Sequence, residues 1–113
     1  MTPQPKTDPQ TKKRSVYVMM TSAEQSVDKS TITASGFVTN TVEQDGKCTY
    51  VFTLGDRVVK KTTGAIPGPS STSCQTMRVN RNELEFAGKW TVSIEYVSSA
   101  SQGVADGMTV VVE

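Results

Sequence analysis

The residues best able to take part in chemistry are two cysteines, Cys48 and Cys74, in a chain without histidine. The absence of histidine excludes Ser-His-Asp and Cys-His nucleophile systems and histidine-ligated metals. Two thiolates alone do not complete the usual tetrahedral shell of zinc, and their spacing is not the Cys-x-x-Cys of redox pairs. The long loop before Cys74 and the Thr-rich composition favour an extracellular setting, so we predict a structural disulfide between Cys48 and Cys74. The alternative is a pair of buried free thiols in a cytosolic protein.

The acidic residues offer a second possible chemistry. Glu83 and Glu85 are close in sequence, whereas Asp45, Asp56 and Asp106 are isolated on predicted turns. Isolated turn carboxylates are typical of Asx-type turns and lack the ligand spacing of a calcium loop. We therefore expect no enzyme activity, no catalytic residue, no cofactor and no metal site.

Length and charge exclude further classes of function. A chain of 113 residues predicts one domain, and a net charge of +1 gives no argument for nucleic-acid binding. The longest apolar run, 16–20, is far shorter than a membrane span, so we expect no direct membrane insertion. About a quarter of the residues are Ser or Thr, which suits the solvent faces of strands in a secreted module.

The elements that must position these residues are short strands. From Trp90 to Tyr96 apolar and polar residues alternate, which is the pattern of a half-buried strand and predicts that Trp90 lies in the core. Residues 1–14 contain three prolines among polar residues and predict a linker or stalk, so that 15–113 form the folded domain. The predicted strands are 16–20, 30–39, 47–54, 57–61, 74–79, 90–96 and 108–112.

The connections between these strands carry the turn signals. Residues 63–73 are predicted as the longest loop and 98–107 as a second loop of small residues. Gly36 predicts a bulge or a close backbone approach, and Asp45-Gly46 predicts a turn with positive φ. The cations of 57–61 are typical of a protected sheet edge.

One connection also carries apolar residues. In the segment 82–88, Leu84 and Phe86 are predicted to plug the bottom of the core.

The segment Gly88–Tyr96, together with Ile32–Val38 and Cys48–Leu54, resembles a bacterial immunoglobulin-like or fibronectin-III-like surface module. The resemblance implies an antiparallel immunoglobulin-like β-sandwich of about seven strands and a spacer or adhesive ectodomain of a cell-surface protein. The two cysteines and Trp90 depart from the antibody pattern, in which a disulfide joins the second and sixth strands around a tryptophan on the third.

The function expected from these observations is a non-catalytic extracellular or cell-surface module that acts as a spacer or an adhesive domain. Its partner would be a protein or glycan surface ligand, and the isolated domain is expected to be monomeric. One alternative is a carbohydrate-binding module, which needs exposed aromatic rings, although four of the seven aromatics have inward parity. A second alternative is a pilus-type structural subunit.

The residues with which such a module binds a partner usually lie in its loops. If the strand order is immunoglobulin-like, the loops 39–46 and 98–107 emerge at the same end. Without a Trp, Tyr or Arg anchor, this end suits weak or multivalent contact. The possible interaction residues are Asn40, Glu43, Gln44, Asp45, Ser99, Ser101, Gln102 and Asp106.

Overall fold

The computed structural model describes residues 13–113, so most of the predicted linker 1–14 lies outside the described residues. Within residues 13–113 there are ten strands, and a single 3-10 turn, Arg81–Glu83, follows the seventh. The strands are β1 Arg14–Ser15, β2 Val18–Gln25, β3 Thr31–Val38, β4 Lys47–Leu54, β5 Arg57–Pro67, β6 Thr72–Cys74, β7 Met77–Asn80, β8 Gly88–Val97, β9 Ser101–Val104 and β10 Met108–Val112.

One half of the fold is built around β8. On one side β8 pairs with β4 in an antiparallel register that places Tyr50 opposite Ile94 and Phe52 opposite Val92. On its other side β10 pairs with the first part of β8 and β9 with the last part. Strand β1 extends this half by pairing with β9, and this is the one parallel pair within residues 13–113.

The other half is built around β3, which pairs with β2 on one side and with β6 and β7 on the other. Strand β5 joins the two halves, because residues 57–64 pair with β4 and residues 65–67 pair with β6. The ten strands thus form one curled sheet of mixed direction. The predicted all-β class is confirmed. The described part of the chain has ten strands instead of about seven, because the short strands β1, β6 and β9 are separate from β2, β7 and β10, which follow them in the chain.

The core lies between the two halves and contains the inward positions of the alternating strands. Trp90 is buried, as predicted, and its indole N–H donates a hydrogen bond to the Phe86 carbonyl oxygen at 2.9 Å. Leu84 is also fully buried, as predicted. Phe86 is not a core plug, because 45% of its surface is exposed. The largest fully buried side chains are Trp90, Tyr50, Tyr96, Phe52, Ile32 and Leu84.

The disulfide lies where β5 passes from one half to the other. Cys48 of β4 is paired with Thr63 of β5, and Cys74 of β6 is paired with Ala65 of the same strand. The two cysteines are bonded, as the sequence predicted, with 5.8 Å between their Cα atoms. Both are buried. The bond therefore closes the corner at which β5 exchanges its β4 partner for β6.

Two predicted loops contain strand. The predicted loop 63–73 is strand up to Pro67 and again from Thr72, so the turn itself covers 68–71. The predicted loop 98–107 contains β9, which pairs with β8 and β1. In both segments small and polar residues hide the strand signal, because their pairing depends on neighbours that are distant in sequence.

Gly36 permits a close approach and does not produce a bulge in its own strand. The inward and outward alternation is unbroken through β3, and the register shift lies in β2 just after Met20. A Cβ atom at Gly36 would lie 2.5 Å from both the Ile94 Cδ1 atom and the Met19 carbonyl oxygen. Phe37 therefore points outward through ordinary alternation.

Candidate functional site

The loop 39–46 and the residues 98–102 lie at one end of the fold, which we call the tip. Strand β4 begins at Lys47, strand β8 ends at Val97, and these two residues are directly paired. The chain that enters β4 and the chain that leaves β8 are therefore neighbours.

A glutamate joins the two parts of the tip. The Glu43 carboxylate accepts hydrogen bonds from Tyr96 Oη at 2.5 Å and from Ser101 Oγ at 2.7 Å. The Glu43 backbone N–H donates to Thr72 Oγ1 at 3.0 Å, and the Thr72 hydroxyl donates to the Thr41 carbonyl oxygen at 2.7 Å. Glu43 thus ties the loop to β6, β8 and β9.

These contacts set the protonation states of Glu43 and Tyr96. Burial raises the pKa of Glu43, but hydrogen bonds donated by Tyr96, Ser101 and Ser98 outweigh burial, so the pKa lies below its ordinary value. Burial and the hydrogen bond to the Glu43 carboxylate raise the pKa of Tyr96. At neutral pH the carboxylate is charged and the phenol is neutral. Neither group is poised to exchange protons near pH 7, so the pair has the properties of a clamp.

A second acid makes a parallel connection. The Asp45 carboxylate accepts a hydrogen bond from the Ser99 backbone N–H at 3.1 Å, and hydrogen bonds from Ser99 lower the pKa of Asp45. Gly46 does not have the positive φ predicted for it; in this loop the positive φ, 51°, belongs to Asn40. Glycine is required at 46 for another reason, because a Cβ atom there would overlap the Tyr96 ring.

Seven of the eight predicted interaction residues lie at the tip. Ser101 is fully buried and Glu43 is partly buried, whereas Asn40, Gln44, Asp45, Ser99 and Gln102 are exposed. Asp106 lies elsewhere, because it follows β9 and five extended residues span about 16 Å.

Three residues that hold the tip together by hydrogen bonds were not among the predicted interaction residues: Tyr96, Thr72 and Ser98. The signal for Tyr96 was available, since a tyrosine with inward parity near a strand end needs a partner for its hydroxyl. Thr72 and Ser98 lie in predicted loops, where nothing in the sequence indicates burial.

The end of the fold around the 3-10 turn carries surface ion pairs. The Arg57 guanidinium lies 4.6 Å from the Phe86 ring centroid, and its Nη1 atom is 3.3 Å from Glu85 Oε1. Lys61 pairs with Glu83. One face of the exposed Phe86 ring is therefore covered by Arg57, and both glutamates serve in ion pairs.

The remaining predicted chemistry concerns metals and sugars. Among residues 13–113, no group of three or more Cys, Asp or Glu side chains could hold a metal ion. Asp45 and Asp56 lie beyond opposite ends of the eight-residue β4, about 25 Å apart. Of the three aromatics outside the core, Tyr17 and Phe37 lie on the β2–β3 side and Phe86 lies beside β5.

Comparison with known proteins adds no relative. No family model, no curated protein and no solved structure matches this chain. No helix within the described range is long and apolar enough to cross a membrane.

Proposed function

We propose that this chain is a non-catalytic extracellular immunoglobulin-like module of a cell-surface protein, which spaces or presents an interaction surface. The observation that carries the proposal is the buried Cys48–Cys74 disulfide at the corner of β5. Disulfides of this structural kind persist in oxidising compartments and are rare where thiols are kept reduced.

The strand order supports the immunoglobulin-like part of the proposal. When β1, β6 and β9 are each counted with the strand that follows, seven segments remain. Strands β2, β3, β6 with β7, and the end of β5 have the order A-B-E-D of that fold. Strands β4, β8, and β9 with β10 have its order C-F-G, and the first part of β5 lies beside β4.

The tip supports recognition by contact in preference to catalysis. Its charged groups, Glu43 and Asp45, are occupied by hydrogen bonds inside the protein. Apart from Asp45, the exposed side chains of the tip are neutral, chiefly Val42, Gln44 and Gln102. A partner bound through so few neutral contacts is held weakly, and affinity then depends on several copies binding together.

The proposal is tested first on the cells that make the protein. The chain is extracted without reductant in the presence of an alkylating reagent, and its intact mass is measured before and after reduction. Cys48 and Cys74 should become alkylated only after reduction. A membrane-impermeant amine reagent, applied to intact cells, should label exposed lysines such as Lys60 and Lys89.

A cytosolic protein of the same cells serves as the control for leakage and should remain unlabelled. Two alkylated thiols in the unreduced chain, or lysines labelled only after lysis, would contradict the extracellular assignment.

The role of the tip is tested with matched variants. The tip variant combines Val42→Ser and Gln44→Ala, and the control variant combines Val58→Ser and Asn82→Ala. Val42 and Val58 are similarly exposed, at 51% and 54%. Beads coated with each chain are applied to the native cell surface and to a glycan array. Loss of binding with the tip variant alone supports recognition at the tip, equal binding by both variants refutes it, and a competable glycan hit indicates the carbohydrate-binding alternative.

A further inference from the structure

The outer face around β3 carries an acid and a base on opposite sides of one strand. Glu24 of β2 is paired with Thr33 of β3, and Thr33 is paired with Arg78 of β7. Directly paired residues project to the same face, and Glu24 and Arg78 are both exposed. Each lies about 4.8 Å from β3 in the sheet. Neither belongs to a salt bridge within the part of the chain that the structure describes.

A second row on this face is largely apolar. Met19, Phe37, Ser73 and Ile66 are paired in succession across β2, β3, β6 and β5. Met19 and Ile66 are 42% and 53% exposed, and Phe37 lies on β3 itself. This row is four residues along β3 from the charged row, or about 13 Å. We call the outward residues of both rows the β3 face.

The β3 face is complementary to itself. Consider two copies whose β3 faces are stacked, with a twofold axis parallel to β3 and midway between the two sheets. Each β3 then lies over the other, and Phe37 meets the partner's Phe37. The same rotation exchanges left and right, so that Glu24 faces the partner's Arg78, and Arg78 faces the partner's Glu24. Aligned packing of this kind is one of the two usual ways in which sheets stack. We propose that this chain binds a second copy of itself through the β3 face.

The outer face of the other half does not offer this complementarity. Its outward positions on β4, β5 and β8 include Lys47, Lys60 and Lys89, with Glu95 as their acidic neighbour on β8. A face with an excess of one charge repels its own copy. The β3 face is therefore the surface on which self-recognition is expected.

The face is small, and contacts of this size are typical of weak and transient association. Eight residues of β3 are about 26 Å long, and four strands are about 14 Å wide, which gives roughly 400 Å² per copy. The total of about 800 Å² is below the roughly 1,200 Å² of stable complexes. We expect a dissociation constant of about 0.1–1 mM, so the isolated domain is monomeric when dilute. Copies held together on a surface gain from multiple contacts.

This inference rests on the proposed function, because it names a partner for a surface interaction module. The test is sedimentation equilibrium of the full chain from about 10 μM to about 1 mM. The wild type should change from monomer to dimer across this range. Glu24→Arg alone places arginine against arginine, and Arg78→Glu alone places glutamate against glutamate. The dissociation constant of the dimer should therefore rise at least tenfold in each variant.

An equimolar mixture of the two variants should restore it. In the mixed pair, the Glu24→Arg chain presents two arginines and the Arg78→Glu chain presents two glutamates, so each arginine faces a glutamate and both contacts are complementary again. The matched controls are Glu95→Arg and Lys60→Glu on the other outer face. These have the same net charges as the test variants, +3 and −1 against +1 in the wild type, because each reversal changes the charge by two.

The control variants should dimerise as the wild type does, and their mixture should show no restoration. A wild type that remains monomeric throughout the range overturns the proposal. So does a dimer that both test variants leave unchanged, or a test mixture that binds no better than the control mixture. None of these results alters the thiol and surface-labelling outcomes, so failure here is distinguishable from failure of the proposed function.

Discussion

Removal of the disulfide is the perturbation whose magnitude follows most directly from the structure. Cys48 and Cys74 are 26 residues apart. By the chain-entropy relation, a loop of this length lowers the entropy of the unfolded chain by about 12 cal/mol/K, or about 3.5 kcal/mol at 25 °C. The Cys48→Ala/Cys74→Ala variant should therefore lose at least about 3.5 kcal/mol of the free energy of unfolding. With a urea dependence of about 1.5 kcal/mol/M, the unfolding midpoint falls by about 2.3 M.

Urea titration of three species separates the cross-link from the packing of the sulfur atoms. These are the oxidised wild type, the wild type in reductant, and the double alanine variant. Reduction removes the cross-link and keeps both buried thiols, so the difference between oxidised and reduced wild type measures the cross-link. The reduced chain should also show a larger urea dependence, because its unfolded state exposes more surface.

The reasoning would be refuted by oxidised and reduced proteins that unfold within about 1 kcal/mol of each other. A large loss upon reduction with an unchanged urea dependence would also contradict it. In that case the bond would act on the folded corner of β5 and not on the unfolded chain.

Three further changes test the core and the tip. Trp90→Ala should lower the free energy of unfolding in urea by about 3–5 kcal/mol, because a fully buried indole is lost. A variant that unfolds like the wild type but no longer binds a partner would show that Trp90 is a ligand contact. Because the pKa of Glu43 is lowered on folding, its contribution to stability is present above pH 4.5 and is lost as the pH falls through the folded value. Glu43→Gln should therefore reduce the loss of stability in acid, and an acid profile equal to that of the wild type would contradict the role of Glu43 as a clamp. Gly46→Ala should weaken urea resistance because its methyl group overlaps the Tyr96 ring, and an unchanged midpoint would show that the loop moves away freely.

Several features of the fold were determined locally. The bounds of β4 match the prediction, and β8 extends two residues before and one beyond it, because alternation in a half-buried strand is a property of the strand itself. The same parity placed Trp90 in the core. The disulfide was predicted because two cysteines allow one pairing within the chain and because the long loop and the Thr-rich exterior favour an oxidising compartment.

The candidate site could be predicted only as a location. An immunoglobulin-like strand order implied that the loops 39–46 and 98–107 meet at one end, and the structure brings loop 39–46 and residues 98–102 together there. The sequence did not indicate that Glu43 is bound by Tyr96 and Ser101, since 53 and 58 residues separate these partners. It also misplaced Asp106, because the small residues of β9 carry no alternation that would reveal a strand.

The tertiary structure alone decided which strands are neighbours and in which register. Strand β5 continues past its predicted end at residue 61 because residues 62–64 pair with β4 and residues 65–67 pair with β6. Glu24 and Arg78 occupy one row only because β2 and β7 both pair with β3 at Thr33. Side-chain periodicity depends on a few consecutive residues and can be read along the chain. Strand pairing depends on the packing of distant segments against a common core, so these partners become known only when the chain is folded.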